Sequence, residues 1–147
     1  MFLGRFEHTI DDKGRLAIPR KYRDQFSAGL VLTESFDRCL WAFTLRGWDA
    51  NTEAYADLDT LSADARAVNR IIYGSAWECQ LDQQGRVVIP GYLRQYAHLE
   101  NEVILVGVRD RLEIWNKDEW ERQREMLQAE GSQMVERLSL TRQRGQR

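Results

Sequence analysis

Several kinds of residue and pattern are scarce in this chain, and each shortage excludes something. Cys39 and Cys79 are the only two cysteines in 147 residues, too few for a disulfide framework and not arranged as a CxxC pair. A reduced, cytoplasmic location is therefore expected. No apolar run approaches the roughly 20 residues a membrane helix needs, and the opening MFLGRFEHTI has neither an apolar block nor a cleavage site of the secretory kind. Histidine occurs only at His8 and His98, and GxxxxGK[ST], GxSxG and HExxH are all missing. No catalytic set can be assembled from these residues, and no metal or cofactor is expected. Asp11 and Asp12 are better explained by turn formation than by acid–base work, and both cysteines read as small core residues. His8, on a strand face shared with Phe6 and Ile10, reads as a packed, hydrogen-bonded side chain.

A strong excess of positive charge is also lacking. The net charge is −2, which argues mildly against nucleic acid, whose binders are usually basic. The distribution is uneven, however. Between Arg5 and Asp24 the bases Arg5, Lys13, Arg15, Arg20, Lys21 and Arg23 outnumber the acids Glu7, Asp11, Asp12 and Asp24, whereas acids gather between Asp49 and Asp64 and between Asp118 and Glu136. Apolar residues at 43% and charged residues at 30% fit a soluble globular chain. Such a charge pattern fits a dipolar particle with one basic face.

What is present is a repeat. Shifted by 71 positions, Phe6–Arg23 falls on Trp77–Arg94 with seven identities: Glu7/Glu78, Asp11/Asp82, Gly14/Gly85, Arg15/Arg86, Ile18/Ile89, Pro19/Pro90 and Arg23/Arg94. One residue of slip later, LVLTESFDRCLWAF from Leu30 parallels VILVGVRDRLEIW from Val103. A unit of about 50 residues would be marginal alone, so two copies are expected to share a core. Each copy reads the same way. An alternating strand (RFEHTI or WECQL, the latter with Trp77, Cys79 and Leu81 inward) leads to an Asp–Gly turn, then a short strand at Leu16–Ile18 or Val87–Ile89. A proline then stops the strand and opens a short helix, with Tyr22/Phe26 and Tyr92/Tyr96 as four-apart pairs. Two more strands follow, about Leu30–Glu34 with Leu40–Phe43, and Val103–Val108 with Leu112–Trp115. In the first copy Gly47–Leu58 reads helical, and a second helix from Ser62 to Gly74 carries Leu61, Ala65, Val68 and Ile72 as its stripe. In the second, Asn116 caps a helix running toward Gly131. The expected organisation is a first repeat over 1–58, a connecting helix over 59–75, a second repeat over 76–130 and a basic, disordered tail over 131–147.

Turn glycines, aspartates and prolines have backbone reasons to recur, and Ile18 and Ile89 have a core reason. Arg15 and Arg86 have none. One reading is a surface ion pair with the aspartate four residues earlier, worth about 0–1 kcal/mol. The other is an arginine thrust from a rigid turn toward an anion, where its planar fork grips phosphate or guanine O6/N7. Duplication favours the second, since paired half-sites are how dimers read duplex DNA. Arg23 and Arg94 are expected to bond a neighbouring carbonyl or acid. Because Lys13, Arg20 and Lys21 have no basic counterparts in the second copy, the first half should contribute more phosphate contact. The tryptophans, most of them in repeat-equivalent apolar pairs, read as core or interface packing and not as base-stacking platforms.

MFLGRFEHTIDDKGRLAIPRKYR together with ECQLDQQGRVVIPGYLRQYA and EVILVGVRDRLEIW resembles the MraZ family of bacterial transcriptional regulators with tandem SpoVT–AbrB-type domains, over about Met1–Glu121. The resemblance implies an α+β fold with a mainly β core: a double-split, swapped-hairpin β-barrel built from two pseudo-symmetric halves with flanking helices. It implies a ring homo-oligomer in the cytoplasm, associated with the nucleoid. The partner it implies is double-stranded DNA, as G-rich direct repeats in the promoter of the cell-division and cell-wall gene cluster, usually repressed. It places DNA contacts on Arg15 and Arg86, with Lys13 and Lys21 assisting. Gln83 and Gln84 make the second contact weaker. The competing reading is a structural ring whose arginines grip acidic protein partners.

Overall fold

A computed structural model describes residues 1–145. The first compact unit, Met1–Lys117, is α+β. Its strands are β1 (Phe2–Thr9), β2 (Arg15–Ala17), β3 (Leu30–Glu34), β4 (Cys39–Thr44), β5 (Trp77–Cys79), β6 (Arg86–Val88), β7 (Glu102–Arg109) and β8 (Arg111–Asn116). Its helices are α1 (Leu45–Ala56), α2 (Ala63–Ser75) and α3 (Gly91–Tyr96), with a single 3-10 turn at Arg20–Tyr22 after Pro19. All strand pairing is antiparallel, in a six-stranded sheet ordered β1-β7-β8-β4-β3-β5 and a two-stranded ribbon β2-β6.

That order is its own mirror under exchange of the repeats. Swapping β1 with β5, β7 with β3 and β8 with β4 regenerates it, and β2-β6 maps onto itself. The repeats are therefore interleaved and not side by side. β1 of the first repeat pairs with β7 of the second, and β5 of the second pairs with β3 of the first. Each copy completes the other's sheet, which is how two marginal units bury one core. Closure into a barrel is absent from the pairing: β1 and β5 remain the two edges of an open sheet among the described residues.

Period-two alternation assigns the faces. Leu30, Leu32, Leu40, Ala42, Leu105, Leu112 and Ile114 lie on one sheet face and are fully buried. Against them pack Leu16 and Val87 of the ribbon, flanked by Ile18 and Ile89, with Tyr22, Phe26 and Leu93 from the segments after the prolines. Side chains of this size each contribute about 1.5–3 kcal/mol when fully buried. The opposite face is covered by α1 and α2: Thr33 Oγ1 donates to Ile72 O (2.9 Å), and Trp48 contacts Phe43 and Tyr73 edge to face. Ser62 caps α2 as its sequence position predicts, its Oγ accepting from Ala65 N.

Several expectations need correction. Alternation places Trp77 inward, yet it is 47% exposed. Its strand is a three-residue edge, whereas the equivalent Phe6 sits on an eight-residue strand with Tyr22 to pack against. Tyr92 is likewise 47% exposed, because α3 buries Leu93, the true counterpart of Tyr22. Leu61 lies before α2 and is exposed, leaving Ala65 and Ile72 as the buried stripe, and α2 continues past Gly74 to Ser75. His8 is half-buried and makes no side-chain hydrogen bond among the described residues.

The second unit, Asp118–Arg147, contains the rest of helix α4 (Lys117–Gly145). The helix does not stop near Gly131, and 131–145, expected to be unstructured, continues it. A lone glycine costs a helix only about 1 kcal/mol, and the following Gln, Met, Glu, Arg and Leu residues are good helix formers. Residues 146–147 of the expected tail lie outside the described residues.

Candidate nucleic-acid interface

The two turns are copies in atomic detail. Asp11 Oδ1 accepts from the backbone N–H of Lys13 (3.0 Å) and Arg15 (2.9 Å), Gly14 N–H donates to Asp11 O (3.0 Å), and Asp11 N–H donates to Arg15 O (3.1 Å). Asp82 does the same with Gln84 (2.9 Å), Arg86 (2.9 Å) and Gly85 (3.0 Å), and donates to Arg86 O (2.8 Å). Gly14 (φ +78°) and Gly85 (φ +75°) hold the left-handed conformation the turn needs. These backbone donors, Arg15 N–H and Arg86 N–H first among them, keep the Asp11 and Asp82 carboxyls below the ordinary carboxylate value.

The aspartates also aim the arginines. Arg15 Nε donates to Asp11 Oδ2 at 2.6 Å, and Arg86 Nε to Asp82 Oδ2 at 2.8 Å. Each ion pair fixes one edge of the guanidinium. The terminal nitrogens Nη1 and Nη2 of both arginines make no hydrogen bond among the described residues. The ion pair and the outward fork are thus parts of one device.

Strand register settles where the forks stand. Arg15 is opposite Val88, Leu16 opposite Val87, and Ala17 opposite Arg86. Leu16 and Val87 point into the core, so Arg15, Ala17, Arg86 and Val88 share the outer face, with Val88 55% exposed. The two arginines are diagonal neighbours, which in an antiparallel pair lie about 7–8 Å apart.

The repeats brace one another beneath this face. Ile18 N–H donates to Gly85 O and Ile89 N–H to Gly14 O, both at 2.9 Å. Arg23 Nε donates to Ile18 O and Arg94 Nε to Ile89 O, both at 3.0 Å, the carbonyl bonds expected of them. Arg23 also runs under the Gly85 turn, where an added Cβ would stand 2.2 Å from its Nε, and Arg94 runs under Gly14. This crossing is not legible in the sequence, since nothing local in either repeat says that its second arginine supports the other's turn.

Of the assisting bases, Lys13 is exposed in the first turn beside Arg15. Lys21 is not on the ribbon. It sits on the 3-10 turn with Nζ 4.9 Å from the ring centroids of Phe6 and Tyr22. Sequence reasoning misses a buried cluster on the other sheet face. Glu113, 8% exposed, accepts from Trp41 Nε1 (3.0 Å), Trp115 Nε1 (3.1 Å) and Arg111 Nη2 (3.0 Å), and the Arg111 guanidinium stacks 4.7 Å over Trp41. A glutamate between apolar neighbours in RLEIW is the one available signal. Burial pushes the Cys39 thiol up to about 12 and that of Cys79 to about 11, so neither is an activated nucleophile. Among the described residues no His/Cys/Asp/Glu group could hold a metal, and no helix is long and apolar enough to cross a membrane.

A tandem α+β scaffold that raises two aspartate-held arginines on one two-stranded ribbon defines a class: duplicated proteins with paired turn-arginine faces. Comparison with known proteins makes the class particular. The family described as "MraZ protein, putative antitoxin-like" matches residues 1–71 and again 72–142, a period equal to the repeat. A protein of Thermomicrobium roseum named transcriptional regulator MraZ is 45% identical over 139 residues, 95% of this chain and 98% of its own. Proteins of the same name from Moorella thermoacetica and Lactiplantibacillus plantarum are each 46% identical over 121 residues, 82% of this chain and 85% and 86% of theirs. The chain belongs to the MraZ family.

Proposed function

We propose that this chain is a transcriptional regulator that binds double-stranded DNA sequence-specifically through the outer face of the β2-β6 ribbon. The observation that carries the proposal is the shared face of Arg15 and Arg86, each fixed at Nε and open at both terminal nitrogens. A two-stranded β-ribbon fits the major groove, and a bidentate arginine there selects guanine. Two such arginines on one ribbon face, each tied to its own turn, suit a site that offers more than one guanine, as a G-rich box does. Lys13 and Lys21 supply additional charge from the first half, and the glutamines at 83 and 84 make the second contact the weaker one.

In this reading the two interleaved halves keep the swapped-hairpin arrangement of a double-split fold around an open sheet, and protomers assemble into a ring. The mirror-symmetric strand order supports the first point. The second reconciles DNA binding with a net charge of −2, since a weakly attracting face binds well when several linked copies engage neighbouring repeats. The ring acts in the cytoplasm, associated with the nucleoid, and represses the promoter of the cell-division and cell-wall cluster. The names of the relatives support regulation and not catalysis. Titration against duplexes carrying G-rich direct repeats and against the same bases scrambled tests this. Specific binding, typically 10³-fold or more tighter for the repeats, is expected, and equal affinity for the two would refute it.

A further inference from the structure

The α4 helix has a face that the ribbon reading does not use. From Arg124 onward, Arg124, Leu127, Gly131, Met134, Leu138 and Thr141 recur at alternating spacings of three and four, the seam of a heptad repeat. Leu127 is 47% exposed and Leu138 69%. Gly131 sits mid-helix with nothing within 4 Å of where a Cβ would be, so the fold of one chain does not require a glycine there. Glu121 and Glu130 flank the seam toward the N-terminal end, and Arg137 and Arg142 flank it toward the C-terminal end.

We infer that this face pairs with α4 of a second copy, antiparallel and two-fold symmetric, centred between Ser132 and Gln133. One register satisfies every feature at once. Leu127 meets Leu138 of the second copy, and Met134 of one copy enters the space left beside Gly131 of the other. At the seam's edges Glu130 faces Arg137, and Glu121 faces Arg142. By symmetry each pairing occurs twice. The parallel alternative fails on charge and on packing, because it sets Arg137 of one chain against Arg142 of the other and leaves two glycines facing each other. An isologous contact of this kind doubles whatever assembly the β unit makes, since it adds a two-fold axis to that assembly.

Cysteine cross-linking in the full-length chain tests the register, with the wild type as control for Cys39 and Cys79. Under mild oxidation the double variant Leu127→Cys/Leu138→Cys should form covalent dimers. Leu127→Cys alone should not, because its symmetry mate lies 11 residues, about 16 Å, along the helix, far beyond the roughly 7 Å a disulfide spans. No dimer from the double variant, or equal dimerisation of the single one, would overturn the inference. Charge exchange provides a second arm. Glu130→Arg should halve the particle mass, and Glu130→Arg/Arg137→Glu should restore it. A mass unchanged by Glu130→Arg, or not recovered in the exchanged pair, would count against the pairing equally.

Discussion

Gly14 and Gly85 are equivalent in the repeat, but alanine should cost far more at Gly85. Both residues hold φ near +75°, where a Cβ costs about 1–2 kcal/mol. At Gly14 the new atom would stand 3.2 Å from Arg94 Nε and Ile89 O, a contact relieved by a shift of a few tenths of an ångström. At Gly85 it would stand 2.2 Å from Arg23 Nε and 2.5 Å from its Cδ. Arg23 must then leave, losing its 3.0 Å bond to Ile18 O, and a hydrogen bond from a charged group is worth about 1.5–3 kcal/mol. The expected costs are about 1–2 kcal/mol for Gly14→Ala and about 3–5 kcal/mol for Gly85→Ala. Urea unfolding at one fixed protein concentration measures both, the fixed concentration removing the effect of self-association. A double-mutant cycle sharpens the test: with Arg23→Ala already present, Gly85→Ala should cost only the backbone strain, giving a coupling of about 1.5–3 kcal/mol. Equal destabilisation at the two glycines, or a cycle with no coupling, would refute the idea that each repeat's second arginine props the other's turn.

Three further outcomes follow from the same geometry. Glu113→Leu should cost about 2–4 kcal/mol by denaturant titration, because it leaves two indole N–H groups and the half-buried Arg111 charge without their acceptor, and Arg111→Ala in the same chain should recover part of that. Asp11 and Asp82 have folded values below the ordinary carboxylate value, so their contribution is complete above that value and is lost as pH falls through the depressed one. The acid limb of stability should therefore flatten in Asp11→Asn/Asp82→Asn, and an unchanged limb would contradict it. Cys39 and Cys79, raised to about 12 and about 11, should resist alkylation at pH 8 in the native chain and react fully once unfolded.

Local signals carry most of the fold. Apolar runs matched between the repeats locate β3, β4, β7 and β8 within a residue or two, and Ser62 fixes the start of α2. The repeat locates both turns, and a turn needing a positive φ explains its glycine. Pairing partners are not legible, because nothing in RFEHTI states that it lies beside β7 of the other copy. Trp77 shows the cost: alternation names its face, but only the sheet order reveals that its strand is a short edge. Gly131 misleads differently, since helix termination there rests on one residue while its neighbours favour continuation. At the candidate site, Arg15 and Arg86 are legible as residues without a backbone reason to recur. Their common face is not, because it depends on the β2-β6 register, a contact between residues 71 positions apart.

The grip proposed for these two guanidinium groups on duplex DNA decides the function. Its most direct test is the salt dependence of binding to a G-rich repeat duplex, measured for the wild type and for a folded Arg15→Ala/Arg86→Ala variant. The variant should lose repeat-specific binding, and the slope of log K against log salt should fall by roughly 1 for each phosphate contact removed. A variant with native stability, undiminished affinity and an unchanged slope would contradict it.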